Sequence, residues 1–357
     1  MQRVKVAVLW TRLSGYLNAC LKELAGREDV KLFVSHRAPD ESAPFDESQF
    51  GWIDNRFMWR TQCDFESLDS RVHEFAPDIM VLPSWHIPSY RRIAKEYTGK
   101  SWRVMAMDNP WLGTLRQRLG VLIAPYYVQR MADAVWLPGE RQAVFARKLG
   151  FSERRILRGL YSCDQSEFAQ KHIERVASAR PVPHSFLFAG RFVTAKGVDV
   201  LGEAYRLYRS KCADPWPLMC CGTGPMQRIL EGIPGIQIEG FVQPGQMPSK
   251  FAVAGCFVLP SKSEPWGLVI HEAVSAGLIV LASESVGAAV HLVQPNYNGF
   301  IFGREDVEGL AALLSRVSSA TDTQLDAMSQ ASHALSKQYS PSLWADTLLE
   351  SFAERES

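Results

Sequence analysis

Three absences narrow what this chain can be. No apolar run is long enough to span a bilayer. The nearest, Leu119 to Val128, is short and holds Pro125 within it, so a membrane-spanning protein is not expected. The opening stretch Val4 to Trp10 is apolar but too short for a signal peptide, and turn residues follow at once. The seven cysteines are odd in number and show no metal-ligand spacing, and Cys220 and Cys221 are adjacent within a strand-like run. A reduced, cytoplasmic protein without a disulfide framework is the expectation. Low-complexity segments are also missing, and the net charge is only +1, which gives no reason to expect a nucleic-acid partner.

That near-zero balance hides an asymmetry. Residues 1–165 hold 24 Lys and Arg against 19 Asp and Glu, or +5, and the remainder holds 15 against 19, or −4. Residues 88–160 alone hold 14 against 5, or +9. Within them, Trp111, Leu112, Leu115, Leu119 and Leu122 fall largely on one side of a helix expected to begin near 111, with Arg116 and Arg118 beside them. Two readings stay open. The segment lies on an anionic membrane surface, or the leucines pack on the domain core and the arginines are solvated.

At 357 residues the chain is long enough for two domains. Val4 to Trp10 reads as a central strand, followed by a turn holding Gly15 and a helix from about Tyr16 to Ala25. Lys31 to Ser35 is a second strand, and residues 38–70 read as irregular. Asp78 to Pro83 is a buried strand that delivers Ser84-Trp85-His86 to its carboxyl end; Arg103 to Met107 does the same for Asp108-Asn109. Ligands collect at such ends in open α/β sheets. Further strands are expected at Ser185–Ala189, Pro217–Cys221, Ile236–Val242, Gly255–Pro260, Leu278–Ala282 and Asn298–Phe302, with helices between and after them. Ser340-Pro341 opens a last helix with Trp344, Leu348 and Phe352 on one face. Strands alternating with helices predict an α/β protein of two Rossmann-like, doubly wound domains. The expected division is 1–168, a polar linker at 169–183, a second domain at 184–338, and a C-terminal helix at 339–357 packing back on the first domain.

The chemistry centres on Ser261-Lys262-Ser263-Glu264-Pro265-Trp266-Gly267-Leu268-Val269-Ile270-His271-Glu272-Ala273. A buried strand precedes it, and a helix is expected to open at about Trp266. A helix start offers unpaired N–H groups and partial positive charge, which suit a phosphate. Glu264 sits in the loop and Glu272 eight positions on. A bare pair of glutamates at that spacing means little, but the residues around this pair resemble the Glu-x7-Glu signature of the retaining glycosyltransferases of family 4, with His271 where that family often has Asn. The match continues at Gly190-Arg191 and Lys196-Gly197, at Gly222-Thr223-Gly224-Pro225, and at Gly240-Phe241-Val242. It is close over roughly 185–303 and faint over 1–165, where Ser14-Gly15 stands in place of two glycines and only Asp164 and Phe168 match near the first domain's end.

The resemblance implies the GT-B architecture, two such domains facing a central cleft. It implies that Glu264 faces the donor sugar, that Glu272 binds the nucleotide ribose, and that the Gly267-Leu268-Val269 backbone holds the diphosphate. Arg191 and Lys196 then act as a phosphate clamp, with Gly15, Gly222 and Val242 also on the donor side. His86 is the expected acceptor-side catalytic group, with Trp85 and Asp108 as neighbours; a plain strand-capping histidine is the alternative. No Asp-x-Asp motif is present, so no bridging metal and no cofactor are expected, the nucleotide-sugar being a co-substrate. The expected activity is sugar transfer, with UDP slightly preferred over GDP, to a saccharide or lipid-linked acceptor in cell-envelope polysaccharide or glycoconjugate synthesis. The expected place is the cytoplasm or the inner membrane face. Rival readings are a nucleotide-sugar epimerase or hydrolase of the same fold, and a non-catalytic nucleotide-sugar-binding subunit.

Overall fold

Short, largely apolar strands, most of them followed by a helix, set the architecture. The computed structural model of the chain describes residues 3–38, 47–61 and 64–356. They form two compact units, Met1–Ser162 with Ser340–Ser357, and Cys163–Tyr339. The first runs β1 (Val4–Leu9), α1 (Gly15–Ala25), β2 (Val30–Arg37), β3 (Arg56–Trp59), α2 (Asp64–Phe75), β4 (Ile79–Pro83), α3 (Pro88–Glu96), β5 (Trp102–Ala106), α4 (Leu115–Tyr127), β6 (Ala134–Leu137), α5 (Glu140–Lys148) and β7 (Ile156–Arg158). Its strands lie in the order β3-β2-β1-β4-β5-β6-β7, all parallel. Parallel strands need crossover helices, which cover both faces of the sheet; β4 is accordingly buried at every position. Val6, at the centre, lies opposite Leu32 on one side and Ile79 on the other.

The second unit runs α6 (Gln165–Ala177), β8 (Phe186–Ala189), α7 (Val198–Lys211), β9 (Leu218–Cys221), β10 (Ile236–Gly240), α8 (Met247–Ala252), β11 (Cys256–Leu259), α9 (Val269–Ser275), β12 (Ile279–Ser283), α10 (Ala289–Leu292), β13 (Gly299–Phe302), α11 (Val307–Ser318) and α12 (Asp322–Ser336). Its parallel sheet is ordered β10-β9-β8-β11-β12-β13. The last helix, α13 (Pro341–Ala353), belongs to the first unit. There Trp344 stacks on Trp136 at 4.6 Å and donates its indole N–H to the Leu160 carbonyl at 2.9 Å. Ser340 starts this helix by accepting the Leu343 N–H at 3.1 Å.

Each sheet reverses its order at one place. β1 lies between β2 and β4, and β8 lies between β9 and β11. The loops leaving the two central strands there turn to opposite faces and open a crevice at the carboxyl ends.

Three stretches differ from the sequence reading. The expected linker at 169–183 is largely helical. α6 is capped by the Asp164 carboxylate accepting the Glu167 N–H at 3.2 Å, and buries Phe168, Ala169, His172 and Arg175. Arg175 is held by Asp326 at 2.8 Å and Ser329 at 2.9 Å. Buried polar side chains that are fully paired made this segment read as solvated. In the stretch expected to be irregular, 39–46 and 62–63 lie outside the described residues, while β3 and the polar α2 occupy much of the rest. β3, at four residues, is too short to show a period. Finally, α9 begins at Val269 and not near Trp266, because Gly267 has a left-handed backbone at φ +87° that an α-helix cannot contain.

Candidate active site

The crevice loops of the second unit are shaped by glycines that have no room for a side chain. After β8 the chain turns at Gly190. A Cβ on Gly222, at φ +148°, would lie 1.9 Å from the Gly190 carbonyl oxygen, and one on Gly224, at φ +152°, would lie 2.4 Å from that of Phe192. The two loops are laced by Gly190 N–H to Cys221 O at 2.9 Å and Phe192 N–H to Thr223 O at 2.8 Å, and Gly222 N–H reaches Gly240 O at 2.7 Å. Gly222 therefore has a steric reason to be glycine before any ligand is considered. Val242 follows β10, half-buried, beyond the left-handed Gly240.

The β8 loop then meets the loop after β11. Gly197, at φ +67°, passes so close that a Cβ would lie 2.0 Å from the Pro260 carbonyl oxygen, and the Lys262 and Ser263 amides donate to Ala195 O at 2.9 and 3.3 Å. This contact brings Lys196 and Glu264 together as a partly buried ion pair, although they are 68 residues apart in sequence. Ser261 donates its hydroxyl to the same carboxylate at 3.4 Å. Lys262 is taken up by Asp199 at 2.7 Å and Glu305 at 2.8 Å. Arg191 is exposed, and no carboxylate among the described residues pairs with it.

Glu264 is fixed by its backbone as well. Its carbonyl accepts the Gly287 N–H at 3.1 Å, Trp266 O accepts from Ala288 at 2.7 Å, and a Cβ on Gly287 would collide with Pro265 O at 2.0 Å. The amides of Gly267, Leu268 and Val269 lead into α9 with no hydrogen-bond partner among the described residues. They lie beside Glu264, whose Cγ a Cβ on Gly267 would approach to 3.0 Å, and Glu264 in turn holds Lys196; free amides near a lysine are groups able to receive a phosphate. Glu272 sits in the first turn of α9, half-buried. Burial, with the Glu167 carboxylate adding to it, pushes its pKa up to about 7.

His271, at the position where Asn is frequent, has a bracing role. It is buried, its Nδ1 accepts the Cys163 N–H at 3.2 Å, and its Nε2 lies 3.0 Å from Ser336 O. Since Nδ1 accepts, the proton is on Nε2 and is donated to that carbonyl. Burial lowers its pKa to about 4, so it is neutral at physiological pH and ties α9 to both ends of the second unit. Sequence reading gave this residue no role; its interior position on the helix was the available signal.

In the first unit each candidate has its own surroundings. Gly15 is the first residue of α1, after an extended Ser14. Trp85 packs edge-on to Phe145 at 6.5 Å and is 6.2 Å from the His86 ring. Asp108 accepts from Tyr161 Oη at 3.2 Å, and its backbone carbonyl accepts from Gln142 at 3.1 Å. His86 is exposed and lines a cavity of about 290 Å³ with Arg37, Trp59, Arg60, Thr61 and Ser89. The basic partners Arg37 and Arg60 escaped the sequence reading, because they lie at the ends of β2 and β3 beside the stretch that read as irregular.

Residues 171–333 match the family described as glycosyl transferases group 1. The fold is that of the GT-B glycosyltransferases. The structure of Anabaena HepE in complex with UDP and glucose superposes with a TM-score of 0.73 at 15% identity, over 99% of this chain and 100% of that one. Among curated proteins, the sulfoquinovosyl transferase SQD2 of Arabidopsis thaliana is 28% identical over 141 residues, 38% of this chain. The D-inositol 3-phosphate glycosyltransferase of Jonesia denitrificans is 32% identical over 148 residues, 37% of this chain. The matched parts span 26% and 34% of those relatives' own lengths.

Proposed function

We propose that this protein is a retaining, metal-independent glycosyltransferase that moves a sugar from a nucleotide-diphosphate sugar to a saccharide or lipid-linked acceptor. The observation that carries the reading is the Lys196–Glu264 pair at the crevice, beside the unpartnered amides of Gly267 to Val269. In such a transfer the bond from the anomeric carbon to the β-phosphate oxygen breaks. Negative charge develops on the leaving diphosphate and positive charge on the sugar ring. Lys196, Arg191 and the three amides meet the first; fixed donors at a developing anion are worth about 2.7–4 kcal/mol each. Glu264 meets the second and takes hydroxyls of the donor sugar, while Glu272 takes the ribose. Glu264 also holds Lys196 in place before the diphosphate arrives, so little reorganisation is needed on binding. His86 serves the acceptor in this reading.

UDP is the preferred nucleotide over GDP, supported by the UDP in the HepE structure. Names of the curated relatives support a sugar-transfer reaction; in this reading it serves cell-envelope polysaccharide or glycoconjugate synthesis, in the cytoplasm or peripherally at the inner face of a membrane. The test is a thermal-shift screen of nucleotide-sugars, followed by product analysis of the best binder with and without saccharide acceptors, in EDTA and in added Mn²⁺. Acceptor-dependent product with retained anomeric configuration in EDTA is expected. Sugar release or epimerised donor without acceptor replaces the reading with a hydrolase or epimerase, and a strict need for Mn²⁺ removes metal independence.

A further inference from the structure

Helix α4 exposes what a folded chain ordinarily hides. Leu112 just before it and Leu115, Leu119, Leu122, Ile123 and Tyr126 along it are each 59% to 78% exposed. At about 100° per residue, positions 115, 119, 122 and 126 fall in one narrow stripe. Ala124, the one buried residue of the helix, points the opposite way. The leucines therefore do not pack on the domain core: the core takes Ala124 and part of Val121 and Tyr127, and the leucine stripe is turned outward. A contiguous apolar stripe of this size on a soluble surface marks a contact site.

The charges around it select the contact. Arg116 and Arg118 flank the stripe on its two sides, and Arg130 follows its far end, its guanidinium 6.0 Å from the Tyr126 ring centroid. No acidic residue occurs from 109 to 132. The five acids within 88–160 are occupied elsewhere: Glu96 with Arg92 at 3.9 Å, Asp108 with Tyr161 at 3.2 Å, Asp133 with Arg103 at 2.8 Å, and Glu140 and Glu153 with Arg147 and Arg158. The three arginines at α4 have no ion-pair partner among the described residues. An apolar stripe edged by unpaired cations fits a surface that is oily within and anionic at its boundary.

We propose that α4 is a membrane-docking helix that seats the first unit on an anionic bilayer, with Leu115, Leu119, Leu122 and Tyr126 in the acyl boundary and Arg116, Arg118 and Arg130 among the headgroups. This deepens the peripheral placement proposed above, but its readout is binding alone, so its failure leaves the sugar-transfer reading standing and the reverse holds too.

The experiment is co-sedimentation of the full chain with vesicles of phosphatidylcholine alone or mixed with phosphatidylglycerol, at low and high salt, with the mass in solution measured by light scattering. Each cation near an anionic surface adds roughly fivefold to partitioning. Wild type should bind the anionic vesicles, weakly or not at all the neutral ones, and release with salt. Arg116→Ser with Arg118→Ser should lose about 30-fold, and Leu115→Ser with Leu119→Ser at least as much, both with unchanged melting temperature because these side chains are exposed. Absence of binding at low salt, or equal binding by both double variants, overturns the proposal. So does a dimer that falls to monomer in the leucine variant without any vesicle binding, which assigns the stripe to a second copy of the chain.

Discussion

The two units repeat one topology and use it differently. Reading each sheet from its third strand, β3-β2-β1-β4-β5-β6 corresponds to β10-β9-β8-β11-β12-β13, so the loops after β1 and β8 are counterparts, as are those after β4 and β11. In the second unit these loops are locked together through Gly197 on Pro260 and the amides on Ala195, and the lock sets Lys196 on Glu264. In the first unit, Gly15 begins a helix in ordinary fashion, and the loop after β4 puts His86 into an open basic cavity with residues from β2 and β3. The same strand order thus gives one crevice whose loops are hydrogen-bonded to each other, and another lined by side chains from three strand ends. Under the proposed function the first takes the donor and the second the acceptor.

The largest effect expected from this contrast is on folding. Gly197→Ala must place a Cβ against Pro260 O from a left-handed backbone, a strain of about 1–3 kcal/mol or more. Gly15→Ala, at a helix start, should change stability by less than about 1 kcal/mol. Chemical denaturation of both variants checks it. Similar losses at the two positions would erase the distinction between the loops.

Next in size is the donor carboxylate. Glu264→Gln should lower turnover at least about tenfold, within the range for a lost transition-state contact. Affinity for the nucleoside diphosphate should change little, because glutamine keeps the shape of the group that positions Lys196. Steady-state kinetics with saturating donor, alongside calorimetric titration, separates the two; unchanged turnover takes Glu264 out of the mechanism.

The smallest effect is a pH dependence. Glu272 has a folded-state pKa raised to about 7 from 4.5. The folded state holds that proton more tightly than the unfolded chain does, so the stability it contributes is present below the unfolded value and is lost as pH rises toward 7. Glu272→Gln should therefore raise the melting temperature by a few degrees at about pH 8 and not at about pH 4.5. Ribose hydroxyls donating to the carboxylate favour its charged form, so nucleotide binding should release a proton near neutral pH in wild type and not in the variant. Matched titrations in buffers of different ionisation enthalpy detect it.

Much of this molecule was legible in its sequence, for identifiable reasons. Strands buried on both faces, such as Ile79 to Pro83 and Cys256 to Leu259, announce themselves as short apolar runs, and their alternation with helices predicts the doubly wound sheets. The loop after β11 stood out because its residues resemble a family signature, and of them Gly267, at φ +87°, is the one whose identity the local backbone dictates. What was not legible depends on partners distant in sequence. α6 hid because its buried Arg175 is satisfied by Asp326 and Ser329 from α12. The pairing of Lys196 with Glu264 exists only through the Gly197–Pro260 contact. The leucine stripe of α4 was visible as a period, but a period gives a face and not its direction; the small Ala124 on the opposite side decided which way it turned.

In the proposed function the crevice of the second unit holds a diphosphate. The most direct test is calorimetric titration of UDP and of uridine into wild type and into Lys196→Ala. The variant should lose at least about tenfold in UDP affinity, as for a hydrogen bond to a charged group, while uridine binding stays unchanged. Equal losses for UDP and uridine, or no loss for either, would contradict it.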